Sequence, residues 1–410
     1  MMGIDTEHPS QTRRALVLGT GITLLGVLRT LSDLGIQVIV PPDADAPARR
    51  SRWFRPGPPF LKGLRPERLA EVLRKLPRHT VLIPCSDQWA RAIAALPADL
   101  KADYPSSVAP LEAIDVLIDK DRFRETLEHL DLPHPTTRTV ASRADLDLLP
   151  DHVFQSSFLK PAHSQQFFAR FGTKAFRISN KTEAIRQLTV AQDFEMMLQE
   201  YIVGPASNHY YIEGFVDREG TVRAMFARRR LRMSPPDFGN STLMVSVPLE
   251  DVGTGAATLE KLFAHLNYRG VFSAEFKRDE RDGAFKLIEV NARPWWYVEF
   301  AARCGVNVCE LLLRDALGEP VDTVASYKIG KRCVFPYYDL AAARVDYEAG
   351  KLGVIGLARS WIGAYQPVFR WSDPAPAFGE VASLFTRRIR RMANSHVGFG
   401  AVSKEAKAIT

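Results

Sequence analysis

Cysteine is scarce in this chain. There are four in 410 residues, Cys85, Cys304, Cys309 and Cys333, and no CxxC pair. That excludes a disulfide scaffold and zinc sites built on paired cysteines, and it fits a reducing compartment. Long apolar runs are missing as well: residues 15–18 make a strand's length near the front, far short of the ~20 residues a membrane span needs. Residues 1–14 are polar, with no charged stretch leading into an apolar one, so no secretory signal is read there. The nine histidines include no HExxH pair. Acidic charge is in the minority, leaving a net charge of +7 and a pI near 9.2. This balance suits anionic small molecules, and equally nucleic acid or an acidic membrane surface, so charge alone selects nothing. The expectation is a soluble cytoplasmic protein.

What is present is ordinary globular composition, 46% hydrophobic and 25% charged, long enough for two or three packed units with a cleft between them. Strand and helix signals alternate over the first hundred residues. Residues 14–19 read as a buried strand, 24–34 as a helix ended by Gly35, and 36–40 as the next strand, stopped by Pro41 and Pro42. A helix over 66–76, a strand over 80–84 and a helix from Gln88, capped by Ser86 and Asp87, continue the series. Such alternation predicts a doubly wound, mostly parallel sheet. Beyond Pro110 come helices over 111–118 and 121–129, then short strands at 158–160, 174–178, 196–202, 209–216, 222–228, 270–278 and 284–290. A helix over 181–189 interrupts them, and the whole reads as an α+β body rich in antiparallel pairing.

The strongest chemical signal lies near the three-quarter point. The strands over 270–278 and 284–290 are joined by a polar, glycine-containing turn, so that Glu275 and Glu289 can face each other. Glu289, Asn291 and Arg293 are spaced by two and share one strand face. Two carboxylates, an amide oxygen and a guanidinium on one face suit Mg²⁺, which takes the rest of its shell from water and phosphate. A solvated hairpin with incidental ion pairs to Lys277, Arg278 and Lys286 is the plainer reading, but the flanking residues are apolar.

The run from Glu275 to Trp296, containing Glu-x-Asn-x-Arg-Pro-Trp, resembles the metal-binding hairpin of the ATP-grasp superfamily, and more narrowly its ATP-dependent carboligase subgroup. The resemblance extends over residues 16–321. It implies an ATP-grasp fold, α/β and α+β, with an N-terminal doubly wound parallel-sheet domain over 1–108. An ATP-grasp domain over 109–322 would follow, divided into a nucleotide-clamping part at about 135–202 and a catalytic body at about 203–322. Residues 323–410 would form a C-terminal extension. It further implies ATP and Mg²⁺, with Mn²⁺ as an alternative ion, and Glu275, Glu289 and Asn291 as metal ligands. The position of Arg293 would stabilise the acyl-phosphate step of a carboxylate–amine ligase.

Other residues take roles from the same resemblance. Lys120, ahead of a helix, matches the family's first phosphate-binding lysine, though by itself it reads as a solvated charge. Lys160, at the end of an apolar strand, matches the second. Gln199, Glu200, Tyr201 and Ile202 look like the hinge whose backbone reads adenine. Where most members carry a Gly-rich phosphate loop, this chain has residues 163–174, so Arg170 and Lys174 are expected to neutralise phosphate instead. Arg228, Arg229, Arg230 and Arg232 are expected to leave a strand and enter a Pro/Gly loop, with Arg228, Arg230 and Arg232 on one face. A charge run is ordinarily a solvated surface. Beside a metal hairpin it reads as a grip on triphosphate and substrate carboxylate, with Arg230 and Arg232 joining Arg293 as catalytic candidates.

Small-molecule carboxylate and amine partners follow, with no nucleic acid and a homodimer as in similar enzymes. A basic amphipathic helix over 381–392 is expected to dock on the body, with peripheral membrane contact as the alternative. Two rival functions remain: a non-catalytic ATP-binding protein of the same fold, and a nicotinamide-dependent oxidoreductase. The latter rests on Gly19, Gly21 and Gly26, but the third glycine stands five residues after the second rather than three. Trp295, Trp296 and Tyr297 are expected at a domain interface.

Overall fold

The structure, a computed structural model, describes residues 13–162, 164–235 and 239–379. The helix expected over 381–392, and with it the membrane contact, lies outside these residues. No described helix is long and apolar enough to cross a membrane.

The apolar front of the chain forms a parallel sheet of β1 (Arg14–Leu18), β2 (Gln37–Ile39) and β3 (Thr80–Pro84) in the order β2-β1-β3. Ala15 to Leu18 are wholly buried, as a strand covered on both faces requires. The glycines after β1 serve close packing. Gly19 has φ +141°, and a Cβ there would lie 2.7 Å from the Cys85 side chain; one on Gly26 would lie 2.9 Å from Val298. Their spacing therefore has a packing cause and needs no dinucleotide.

A second sheet holds β4 (Thr137–Val140), β5 (Ser157–Pro161), β6 (Phe176–Arg177) and β7 (Met196–Glu200), antiparallel in the order β4-β7-β5-β6. Beside it residues Ser164–Phe171 form a helix where a Gly-rich loop would otherwise stand. Phe167 anchors that helix against Phe171, Phe176 and Phe194 at centroid distances of 4.7, 4.9 and 5.2 Å.

The third sheet is antiparallel throughout. It contains β8 (His209–Val216), β9 (Val222–Ser234), β10 (Asn240–Val247), β11 (Gly270–Arg278), β12 (Phe285–Asn291) and β13 (Arg332–Val334), ordered β12-β11-β8-β9-β10-β13. The arginine run does not leave a strand for a loop. β9 continues through it to Ser234 and pairs with β10 from Asn240 onward. Arg228, Arg230 and Arg232 do share the buried face, and each meets a buried or half-buried carboxylate: Glu213, Glu275 and Asp339 respectively. Burial of charge hidden in ion pairs has no periodic apolar signature, which is why the strand read over 222–228 was not carried on to Ser234. β13, from the expected C-terminal extension, completes the edge beside β10.

The parallel sheet and the large antiparallel sheet share one core. Ala15, Val17, Leu24 and Leu28 pack in a cluster with Phe215, Phe226, Trp295, Tyr297 and Phe300. Trp295 and Tyr297 are buried at this junction, as expected, while Trp296 is exposed. Arg29 ties three segments together there, with no exposed surface. Its Nε donates to Asp373 (3.0 Å), Nη1 to Glu299 (3.3 Å), and Nη2 to the carbonyls of Val368 (2.9 Å) and Asp373 (3.0 Å). Removing Asp373 leaves the buried Arg29 with Glu299 as its remaining carboxylate partner and strips its Nε of an acceptor. Asp373→Ala should therefore cost about 3–5 kcal/mol of unfolding free energy, read as a lower urea midpoint.

Candidate active site

Register sets the chemistry. Glu275 on β11 pairs directly with Glu289 on β12, and on its other side with Tyr211 on β8, which in turn pairs with Arg228 on β9. Four side chains thus form one rung across four strands, two of them carboxylates side by side. Like charges in this position destabilise a sheet.

The two carboxylates are treated differently by their surroundings. Glu275 Oε1 accepts from His209 Nδ1 at 2.7 Å, Tyr211 Oη at 2.9 Å and Arg230 Nη2 at 3.2 Å. Burial alone would raise the Glu275 carboxyl, but Arg230 and these donors outweigh it and hold it well below the usual carboxylate range. His209 is pushed down to about 4, by burial first and then by Arg230, so its imidazole is neutral at pH 7 and Nδ1 carries the donated proton. Glu289 moves the other way. Its carboxylate borders open space, yet enclosure by protein raises it, and the Glu275 charge adds to the effect.

Asn291 bridges Glu289 to Arg293: its Nδ2 donates to Glu289 Oε1 (3.2 Å) and its Oδ1 accepts from Arg293 Nη2 (2.9 Å). Arg293 is also gripped by Asp87, with Nε to Oδ1 at 2.9 Å and Nη2 to Oδ2 at 3.3 Å. Asp87 opens a helix capped by Ser86, at the carboxyl end of β3. Sequence reading saw only the cap here. Its position where ligands gather in open parallel sheets was the available signal.

Three lysines face the carboxylates. Lys160, on β5, is pulled down to about 7 by burial and then by the Lys120 ammonium, with Glu289 and Glu275 opposing. Lys120 is lowered by burial and supported by Glu289, and its Nζ donates to the Pro161 carbonyl at 2.6 Å. Lys174 is likewise lowered by burial against the pull of Glu289 and Glu275, and donates to Asn240 Oδ1 at 2.8 Å. Half-buried ammonium groups thus act electrostatically on the anionic rung, where further anions and a cation would balance charge.

Two expected members are not brought to this rung. Arg232 is bound by Asp339, whose carboxylate also accepts from Thr242 and Trp361, a buried structural knot reaching the helix Pro336–Glu348. Arg232, expected among the catalytic candidates, is thus engaged by Asp339 rather than by Glu275 or Glu289. Arg170 pairs at the surface with Asp193 at 2.6 Å, not with the cleft groups.

At the hinge, β7 ends at Glu200 rather than at Ile202. Gln199 donates to Thr137 Oγ1 (2.7 Å), while Glu200 accepts from Arg281, from Lys286 (3.2 Å) and from the Thr136 N–H (3.1 Å). Ile202 is buried, and the Tyr201 ring lies 4.6 Å from Lys277 Nζ. The backbone N–H groups of Glu200 and Tyr201 donate to the Thr136 carbonyl (2.8 Å) and the Ser156 carbonyl (2.6 Å).

The donors present test the fit of a metal. Among the described residues no group of three or more His, Cys, Asp or Glu side chains is placed to hold one alone. Two carboxylates and an amide oxygen on adjacent strands fit an ion that draws the rest of its shell from water and phosphate, which is the habit of Mg²⁺.

No protein-family model matches the chain. It is similar to a D-aspartate ligase of Enterococcus faecium, 25% identical over 328 residues that cover 73% of this chain and 76% of the relative. Among solved structures it is similar to carboxyaminoimidazole ribonucleotide synthase from Aspergillus clavatus complexed with ATP. The TM-score is 0.59 at 18% identity, covering 82% of this chain and 86% of that one. An L-amino acid ligase from Bacillus licheniformis matches with a TM-score of 0.55 at 16% identity, covering 79% of each chain. The fold is that of the ATP-grasp proteins.

If Glu289 is kept for chemistry, it costs stability while no cation is bound. In the presence of EDTA at pH 8, Glu289→Gln should raise the unfolding free energy by up to about 1 kcal/mol through relief of the repulsion from Glu275. The sign follows from the raised Glu289 carboxyl, whose ionised form the folded state disfavours. Urea unfolding measures it, and a loss of stability would contradict the reading.

Proposed function

We propose that this chain, an ATP-grasp enzyme by fold and by its relatives, is an ATP-dependent carboxylate–amine ligase with Glu275, Glu289 and Asn291 as its metal ligands. The observation that carries the proposal is the facing pair Glu275 and Glu289, with Asn291 and Arg293 beside it and Lys120, Lys160 and Lys174 opposite. A bound Mg²⁺, or Mn²⁺ in its place, would supply charge neutralisation at the nucleotide phosphates.

The protein's own groups have separable tasks. Lys120 and Lys160 bind phosphate oxygens, and Lys174 takes part of the role a Gly-rich loop has elsewhere. The backbone from Gln199 to Ile202 reads the adenine. Arg293, steadied by Asn291 and Asp87, holds the substrate carboxylate or the phosphoryl group moving to it, and Arg230 acts through Glu275. A carboxylate oxygen forms a bond to the γ-phosphorus as the bond to the β-phosphate oxygen breaks, leaving ADP and an acyl phosphate. The amine then forms the C–N bond, phosphate departs with the C–O electrons, and the amine gives up its proton to water or buffer. Positioning and charge stabilisation suffice for these steps, so no protein nucleophile is needed.

The names of the two ligase relatives make amino acids the first compounds to test, both D and L forms, in either role. The four cysteines are buried and unpaired, in keeping with a reducing cytoplasm. Phosphate release should appear with a cognate acid–amine pair and fall by about 10²–10³-fold in Glu289→Gln, in the range seen when one charge-stabilising group is lost. Release that is undiminished in this variant would overturn the metal assignment. ATP binding without release across a broad panel would favour a non-catalytic nucleotide-binding protein.

Lys160 gives an independent check. Free, its ammonium titrates near 7; beside bound phosphate it is held protonated at higher pH. Binding of ADP at pH 8 should therefore take up close to one proton, visible as a dependence of calorimetric enthalpy on the buffer's ionisation heat. Lys160→Met should abolish that uptake.

A further inference from the structure

We infer that Tyr211 is a positioning residue that fixes the Glu275 carboxylate so that one of its oxygens is reserved for a divalent cation. This rests on the reading of Glu275 as a metal ligand and adds what orients it.

Tyr211 is buried in the middle of β8. Its ring lies under the Arg228 guanidinium, 3.6 Å from centroid to Cζ, and Arg228 is itself held by Glu213 through Nε at 2.9 Å and Nη2 at 2.7 Å. The ring therefore cannot turn without disturbing a buried ion pair. Its hydroxyl accepts from Arg230 Nη2, whose Nε is in turn fixed on Ser241 Oγ at 2.8 Å. An acceptor of the Arg230 proton has its own proton free to donate, and Tyr211 gives it to Glu275 Oε1 at 2.9 Å.

All three donors reaching Glu275, from His209, Tyr211 and Arg230, converge on Oε1. A carboxylate oxygen with three donors has no lone pair left for a metal. Oε2 is the oxygen offered to the cleft, so Glu275 binds through one oxygen in a preset orientation. Such outer contacts commonly change metal affinity by ten- to a hundredfold when lost. Tyr211 is specific in this group: Arg230 brings charge and His209 lies at the strand's start, whereas the phenol supplies direction from a ring that is clamped.

The test uses the full chain with Mn²⁺ as probe and ADP present, following free Mn²⁺ by electron paramagnetic resonance. Tyr211→Phe removes one oxygen and keeps the ring. Its circular dichroism and its ADP affinity without metal should match those of the unaltered protein. Its Mn²⁺ dissociation constant should rise about tenfold, and the bound-Mn²⁺ spectrum should change. His209→Ala, at the edge of the network, should weaken Mn²⁺ in the same direction and serves if the tyrosine variant does not fold. Unchanged Mn²⁺ affinity and spectrum in the folded variants would overturn the inference. Glu275→Gln separates the two levels: if it too leaves Mn²⁺ binding unchanged, the metal reading fails and this inference fails with it. If only Glu275→Gln weakens binding, the metal reading stands and the role of Tyr211 is wrong.

Discussion

Two carboxylates on paired strands of one sheet repel each other, and the neighbouring side chains are arranged around that repulsion. Like charges directly opposite on paired strands destabilise a sheet by up to about 1 kcal/mol. The protein divides the burden unequally. Glu275 is surrounded by donors and kept ionised, while Glu289 is left with an amide donor and a raised carboxyl. Lys120, Lys160 and Lys174 are themselves lowered by burial, with Glu289 opposing that shift at all three and Glu275 at Lys160 and Lys174. A site in which both signs of charge are partly unsatisfied is ready to take a cation together with a polyanion.

The arginine strand shows how one pattern serves two ends. Arg228 and Arg232 are consumed by buried partners, Glu213 and Asp339, and hold the sheet to its neighbours. Arg230, between them, bonds to the Glu275 carboxylate instead. Asp339 binds Arg232, Thr242 and Trp361 at once, so the segment beyond β12 is part of the body rather than an appendage. Arg29 does the same for the front of the chain through Asp373. Buried arginines thus tie distant parts of the described chain together, Arg29 to Glu299 and Asp373, and Arg232 on β9 to Asp339.

Much of this was legible beforehand. The hairpin pairing Glu275 with Glu289 and the face shared by Glu289, Asn291 and Arg293 follow from turn chemistry and period-two alternation, the parallel front sheet from alternating strand and helix signals, and the burial of Trp295 from large aromatics following a strand. What stayed hidden depended on long-range partners. No local rule tells that Arg232 meets Asp339, 107 residues later, or that Arg293 meets Asp87, 206 residues earlier. The continuation of β9 to Ser234 was missed because its buried positions are charged. Tyr211 was missed because its importance lies in register: only the pairing of β8 with β11 sets it beside Glu275.

The central claim is that oxygen atoms of β11 and β12 hold a divalent cation. Crystals grown with ADP and Mn²⁺, measured at the manganese absorption edge, address it directly. The account predicts an anomalous peak about 2.1 Å from a carboxylate oxygen of both Glu275 and Glu289. A nucleotide bound with its manganese elsewhere, and the two carboxylates without a metal between them, would contradict it.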